Sequence, residues 1–246
     1  MSTPLPVVIQ AVRWTHILAG FTAFFIAPVP LLTAKGGKTH RRWGKIYFWA
    51  MAVMAATAMV LALWRPILFL AFIAVFSFYF AFRGYRVLSR KSPLQGQGPR
   101  AIDWAAAVLA FLGSVALIVL GIVRPSPVWV QLSVVAIFFG VIGVALAASD
   151  IWQSMHPPAD RNFWWYAHMG GMIGSYIAAV SAFSVVNFRF LPLEARWLWP
   201  SAIGVPGIFI WIAYYRRRFG RTRADEMASR SPADAGRDVS SNRTSS

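Results

Sequence analysis

No cysteine occurs in the 246 residues of this chain. Disulfide staples, thiolate metal sites and cysteine nucleophiles are therefore excluded. Acidic residues are scarce as well: eight Asp and Glu stand against 24 Lys and Arg, with four histidines. Charged residues of both signs make up only 13% of the chain, roughly half the share of about 25% found in an ordinary soluble domain. That shortage excludes a soluble globule, because 58% of the residues are hydrophobic and the mean hydropathy is +0.56. Only lipid can cover so much apolar surface.

The net charge of +16 and pI near 11.4 would otherwise suggest nucleic acid. The distribution of the cations argues against that partner. Seven apolar stretches, at 14–33, 44–64, 66–88, 101–123, 128–149, 163–187 and 197–215, reach the length of about 20 residues needed to cross a bilayer as helix. Pro66, and Pro125 with Pro127, mark tight turns between consecutive spans. The roughly ten-residue alternating segments of a membrane β-barrel are absent. The expected fold is all-α: a polytopic transmembrane bundle of seven helices over 1–218, with a disordered basic tail over 219–246.

Counted loop by loop, nineteen of the 24 cations fall on one side of these spans, including Lys35, Lys38, Arg41, Arg42, Lys45, Arg83, Arg86, Arg90, Lys91, Arg100 and the arginines from Arg216 onward. Arg13, Arg65, Arg124, Arg189 and Arg196 fall on the other. By the positive-inside rule the N-terminus is outside and the C-terminus cytoplasmic, in the inner (plasma) membrane. The basic face then meets anionic lipid headgroups rather than nucleic acid. The start MSTPLPVVIQAVRW lacks the basic n-region of a signal peptide, so the first apolar run is expected to remain in the chain. In the joint KGGKTHRRWGKIY, Trp43 and Tyr47 are expected at the interface as amphipathic anchors.

Ionisable groups inside spans are costly, which makes each one a candidate for function. His16 shares a helical face with Gly20, Ala23 and Ala27, and Asn187 ends the sixth span at a depth from which it could bond to His16. His168 leads HMGGMIGSYIAAVSA, whose rows Gly171, Ser175, Ala178, Ala182 and Gly170, Gly174, Ala178, Ala182 suggest a closely packed central helix. Asp150 continues the face of Gly140, Gly143 and Ala147, so its carboxylate could point toward His156 or His168. For His16 and His168 the plainer alternative is a packed, hydrogen-bonded side chain. For His40, His156 and Asp160 it is solvation at a helix end.

Sharper motifs fail. Gly37-Lys38-Thr39 imitates the end of a P-loop, but position 32 is Leu32 and no strand precedes it. No HExxH or GxSxG element is present, and the spacing of Asp150, His156, Asp160 and His168 is not that of a zinc site. A haem b between two histidines stays open. His16 and His168 differ in depth by roughly 15–20 Å at 1.5 Å per residue, too far to share an iron, which leaves His168 with His40 or His156.

Two stretches, THILAGFTAFFIAPVPLLTAKGGKTHRRWGKIYFWAM (15–51) and HPPADRNFWWYAHMGGMIGSYIAAVSAFSVVN (156–187), resemble a bacterial family of multi-pass membrane proteins known only as a domain of unknown function. The resemblance spans roughly residues 1–215. It implies that His16, His40, Arg41, Arg42, Gly44 and His168 occupy the family's motif positions, and it brings a topology but no established reaction. The late helix here is entered through YAHMGGM rather than a basic HRRWM-type stretch. The expected function is that of a non-enzymatic inner-membrane protein. Its interior polar residues, led by His16, Asp150 and His168, would serve structure or the passage of protons or small solutes. The alternative is a haem b electron carrier.

Overall fold

A computed structural model describes residues 6–65 and 67–229, with side chains to residue 221. Among the described residues every regular element is helical. Seven helices are long and apolar enough to cross a membrane, which makes this a multi-pass membrane protein. The chain divides into two units, Met1–Val205 and Pro206–Ser246.

Helix α1 (Val7–Ile26) meets Pro28 and Pro30, which cannot donate to the helical ladder, and the first span finishes as the short α2 (Pro28–Leu32). Gly36, left-handed at φ 78°, turns the chain, and α3 begins at Lys38 and runs to Trp64. The basic stretch KTHRRWG is thus the first two turns of a helix and not a loop. Tyr47 on that helix is 2% exposed and sits inside the protein, so it is not the interfacial anchor expected of it. The turn expected at Pro66 lies outside the described residues.

Helix α4 (Leu68–Arg86) continues through a 3-10 turn at Val87–Ser89. Helix α5 (Ala101–Val123) ends at Arg124, which is left-handed at φ 54° immediately before Pro125. The short α6 (Pro127–Gln131) delays the fifth span to α7 (Ser133–Met155), and α8 (Phe163–Asn187) is the sixth. Helix α9 (Leu193–Ser229) extends beyond residue 218 through RTRADEMAS, and of the expected tail only 230–246 lies outside the described residues.

The centre of the packing is α4, where α8 was expected. Half of its apolar window is buried, against 33% for α8, and it packs on α3, α5, α7 and α8. The reason is a division of labour. Helix α4 supplies large rings, with Phe69, Phe76, Tyr79 and Phe80 all buried. Phe69 packs on Trp129 and Trp197, Phe76 on Phe139, and Tyr79 on alanines of α5 and α7, while Phe80 presses on the glycines of α8. The buried face of α8 is Gly171, Gly174, Ser175, Ala179, Ser181 and Ser184, while Ala182 is exposed, so the expected small-residue row holds only in its first half. Between α4 and α8 the backbones touch: a Cβ on Gly171 would lie 2.7 Å from the Gly84 Cα and 2.8 Å from the Phe80 carbonyl oxygen. Helix α1 meets α3 through Ala23, with Ala27 just beyond its end, and Tyr47 and Met51 are buried in the same cluster.

The two ends of the first unit differ in chemistry. One end gathers Phe69, Trp129, Phe139 and Trp197 into an aromatic cluster, with ring centroids 5.5–6.2 Å apart. The other gathers the starts of α3, α5 and α8 with the ends of α4 and α7, and carries His40, His168, Asp103 and Asp150 with the arginines that hold these carboxylates.

Candidate functional site

Polar clusters tie the helices together, two through carboxylate–guanidinium forks and the others through hydroxyls and imidazoles. In the first, Asp150 accepts a forked contact from Arg83: Nε to Oδ2 and Nη2 to Oδ1, both at 2.6 Å. Its Oδ2 also accepts the Tyr79 hydroxyl at 2.5 Å. The Asp150 carboxylate is therefore committed to α4, which corrects the expectation that it would turn toward His156 or His168. A planar guanidinium satisfies both carboxylate oxygens at once, and a lone imidazole satisfies one.

The second cluster repeats this pattern at Asp103, which accepts Arg86 Nε and Nη2 at 2.8 Å each and the Arg100 backbone N–H at 2.9 Å. Near it the Arg90 Nε is buried with no partner among the described residues. An unmatched buried donor costs about 1–3 kcal/mol, more for a charged group.

The third lies deeper. Tyr47 and Ser175 share a hydrogen bond of 2.7 Å between their hydroxyl oxygens, and the Ser175 hydroxyl also donates to the Met172 carbonyl at 2.8 Å. His16 closes α1 onto α3 in a comparable way. Its Nδ1 lies 3.1 Å from both the Met54 carbonyl oxygen and the Thr57 hydroxyl. Asn187, expected to reach His16, donates instead to the Phe183 carbonyl of its own helix at 2.8 Å. Similar depth did not make the two groups lateral neighbours.

The fourth cluster is the pair His40 and His168. Their ring centroids stand 6.1 Å apart at an interplanar angle of 71°. His168 Nδ1 lies 2.7 Å from the Gly84 carbonyl oxygen, and His40 Nδ1 lies 3.0 Å from that of Pro30. A carbonyl only accepts, so in both rings Nδ1 carries the proton and Nε2 keeps its lone pair when the ring is neutral. Lys35 Nζ donates to the same Pro30 carbonyl at 3.0 Å and to that of Leu31, closing the end of α2. Burial pushes its ammonium below the usual lysine range. Lys91 stands 4.5 Å above the Trp164 ring.

His156 belongs to none of these clusters. Its exposed ring stacks on Trp152 at 4.0 Å, and its Nδ1 is 3.3 Å from the Trp152 carbonyl. It is tied to its own helix end, so of the two partners considered for His168 only His40 is adjacent. Among the described residues no group of three or more His, Asp or Glu could hold a metal ion.

Sequence reading missed Tyr79, Arg83, Arg86, Asp103, Tyr47 and Ser175 as polar partners. One signal was available. Asp103 and Asp150 both border apolar spans, where a carboxylate needs a cation, and the arginines ending FSFYFAFRGYR border another span on the same side.

Compared with known proteins, the chain matches no family, no curated protein and no solved structure.

Proposed function

We propose that this is a non-enzymatic, multi-pass protein of the bacterial inner membrane, N-terminus outside and C-terminus cytoplasmic, that holds a haem b between His40 and His168. The orientation is supported by the nineteen-to-five split of Lys and Arg, whose larger share lies on the ends of the spans that carry His40, Arg86 and Arg100. The HRxxG joint and the histidine-led late helix keep the resemblance to the family of membrane proteins noted above as part of this proposal.

One observation carries the site: two imidazoles 6.1 Å apart, each with Nδ1 bonded to a backbone carbonyl. Metal-ligating histidines are commonly held in this way, because a bond at one nitrogen fixes the ring and the tautomer while the other nitrogen faces the metal. His40 and His168 would hold the iron through their Nε2 lone pairs, which the Nδ1 bonds leave free.

The other clusters favour a structural role over a conduction path. Tyr47 with Ser175, His16 with Thr57, and Asp150 with Arg83 and Tyr79 are each closed on their own partners. The chain's own contribution is to orient two imidazoles and keep their Nδ1 protons in place. Bound haem would supply one-electron chemistry.

The test is titration of detergent-purified protein with haemin. Saturation at one haem per chain, with the spectrum of a six-coordinate low-spin iron that is lost in His168→Ala, supports the proposal. A spectrum unchanged from free haemin in detergent counts against it.

A further inference from the structure

A cleft of about 40 Å³ opens between the end of α4, the segment that follows it and the α7–α8 connection. Arg83, Arg90, Gln97, Asp150, Gln153 and Phe163 are among the residues that line it. It is separate from the His40–His168 pair, neither of which lines it.

The charges around this cleft do not balance. Arg83, Arg86, Arg90, Lys91 and Arg100 fall within a short run of sequence, and the carboxylates bonded to this group are Asp103 and Asp150. Both carboxylates are already engaged by a guanidinium fork and a third donor. Asp150 accepts from Arg83 and Tyr79 at its two oxygens, and Asp103 accepts from Arg86 and the Arg100 N–H. Asp150 therefore presents little free negative charge to the cleft, although it lines it. Arg83 and Arg86 hold these carboxylates, whereas Arg90 lines the cleft with its Nε buried and without a partner among the described residues. A guanidinium is a fork of donors that matches an oxyanion.

We propose that this cleft binds a phosphate anion through Arg90, and that the phosphate belongs to an anionic lipid headgroup. The position supports the lipid source. Arg83 and Asp150 lie in the last turns of spans, and Arg90 follows just beyond, at the level where headgroups begin. Phe163 and the prolines of the wall, Pro93, Pro99, Pro157 and Pro158, give the cleft an apolar rim for the glycerol region of the lipid. The choice of the cytoplasmic leaflet rests on the orientation proposed above. The binding test in detergent does not, so the two can fail separately.

The experiment compares binding of phosphatidylglycerol and phosphatidylcholine to the full chain in detergent, by native mass spectrometry or by quenching of tryptophan with brominated lipid. Wild type is expected to prefer phosphatidylglycerol. Arg90→Gln should weaken that lipid roughly 10- to 100-fold, the loss expected on removing one charge-assisted contact, and leave phosphatidylcholine unchanged. Arg42→Gln, which removes one charge from the same end of the protein but outside the cleft, should bind as wild type does. Arg90-dependent binding that persists in excess inorganic phosphate supports the lipid source. Stabilisation of wild type but not of Arg90→Gln by inorganic phosphate alone assigns the cleft to a free phosphate and overturns the lipid part. Equal losses in Arg90→Gln and Arg42→Gln, or no loss in either, overturn the site, provided thermal unfolding shows both variants folded.

Discussion

Replacing Gly171 by alanine places a methyl carbon 2.7 Å from the Gly84 Cα and 2.8 Å from the Gly84 nitrogen and the Phe80 carbonyl oxygen. All three atoms are backbone, so no side chain can swing aside. Carbon atoms rest at about 3.5–4.0 Å, so α4 and α8 must part by roughly 1 Å. The same displacement would carry the His168 Nδ1 contact to the Gly84 carbonyl from 2.7 Å to beyond hydrogen-bonding range. Overpacking of this kind costs about 1–3 kcal/mol, and the lost hydrogen bond adds about 1 kcal/mol. The midpoint of thermal unfolding in detergent should fall by roughly 4–16 °C. Gly44 in α3 is the control, because a Cβ there meets nothing within 4 Å. Gly44→Ala should be neutral or stabilising by up to about 1 kcal/mol through helix propensity alone. If Gly171→Ala unfolds at the same temperature as Gly44→Ala, the close approach of α4 and α8 is wrong, and with it the positioning of His168.

Three further outcomes follow from named contacts. Asp150→Asn leaves a guanidinium whose side chain is only 11% exposed without its counter-ion, and should cost about 3 kcal/mol in thermal unfolding. Joint replacement of Arg83 and Asp150 by Met and Leu should cost much less, and a double variant as unstable as Asp150→Asn would refute the ion-pair account. Ser175→Ala should destabilise more than Tyr47→Phe. The first strands a buried phenol with no partner at about 1–3 kcal/mol, whereas the second leaves Ser175 its bond to the Met172 carbonyl and costs about 1 kcal/mol. Reporter fusions after residue 221 should report a cytoplasmic location and fusions ahead of residue 7 an external one, and the reverse pattern would overturn the orientation.

The limits of legibility have physical causes. The spans at 101–123 and 163–187 were readable to the residue because apolar runs there coincide with helix limits. The starts of α3 and α7 and the end of α9 were not. Hydropathy reports what lipid accepts, whereas Lys, Arg and Glu continue a helix as readily as Leu does. At α7 the error ran the other way, since Val128–Val130 is apolar enough to belong to the span yet forms the separate turn of α6. Helical periodicity placed Asp150 and His168 on inward faces, but it carries no information on which neighbouring helix those faces meet. The partner of Asp150 lies 67 residues away and that of His168 lies 84 away, on a helix whose aromatic run gave no hint of an exposed carbonyl at Gly84. That α4 rather than α8 is central follows from volume, which a search for small residues overlooks.

The most direct measurement is the reduced-minus-oxidised visible spectrum of membranes holding the full chain, compared with membranes holding His40→Ala, His168→Ala and His156→Ala at matched protein levels. A b-type band is expected in the wild type and in His156→Ala, and its loss in both His40→Ala and His168→Ala. A band that survives the loss of His40 or of His168, or that vanishes with His156, contradicts haem binding between His40 and His168.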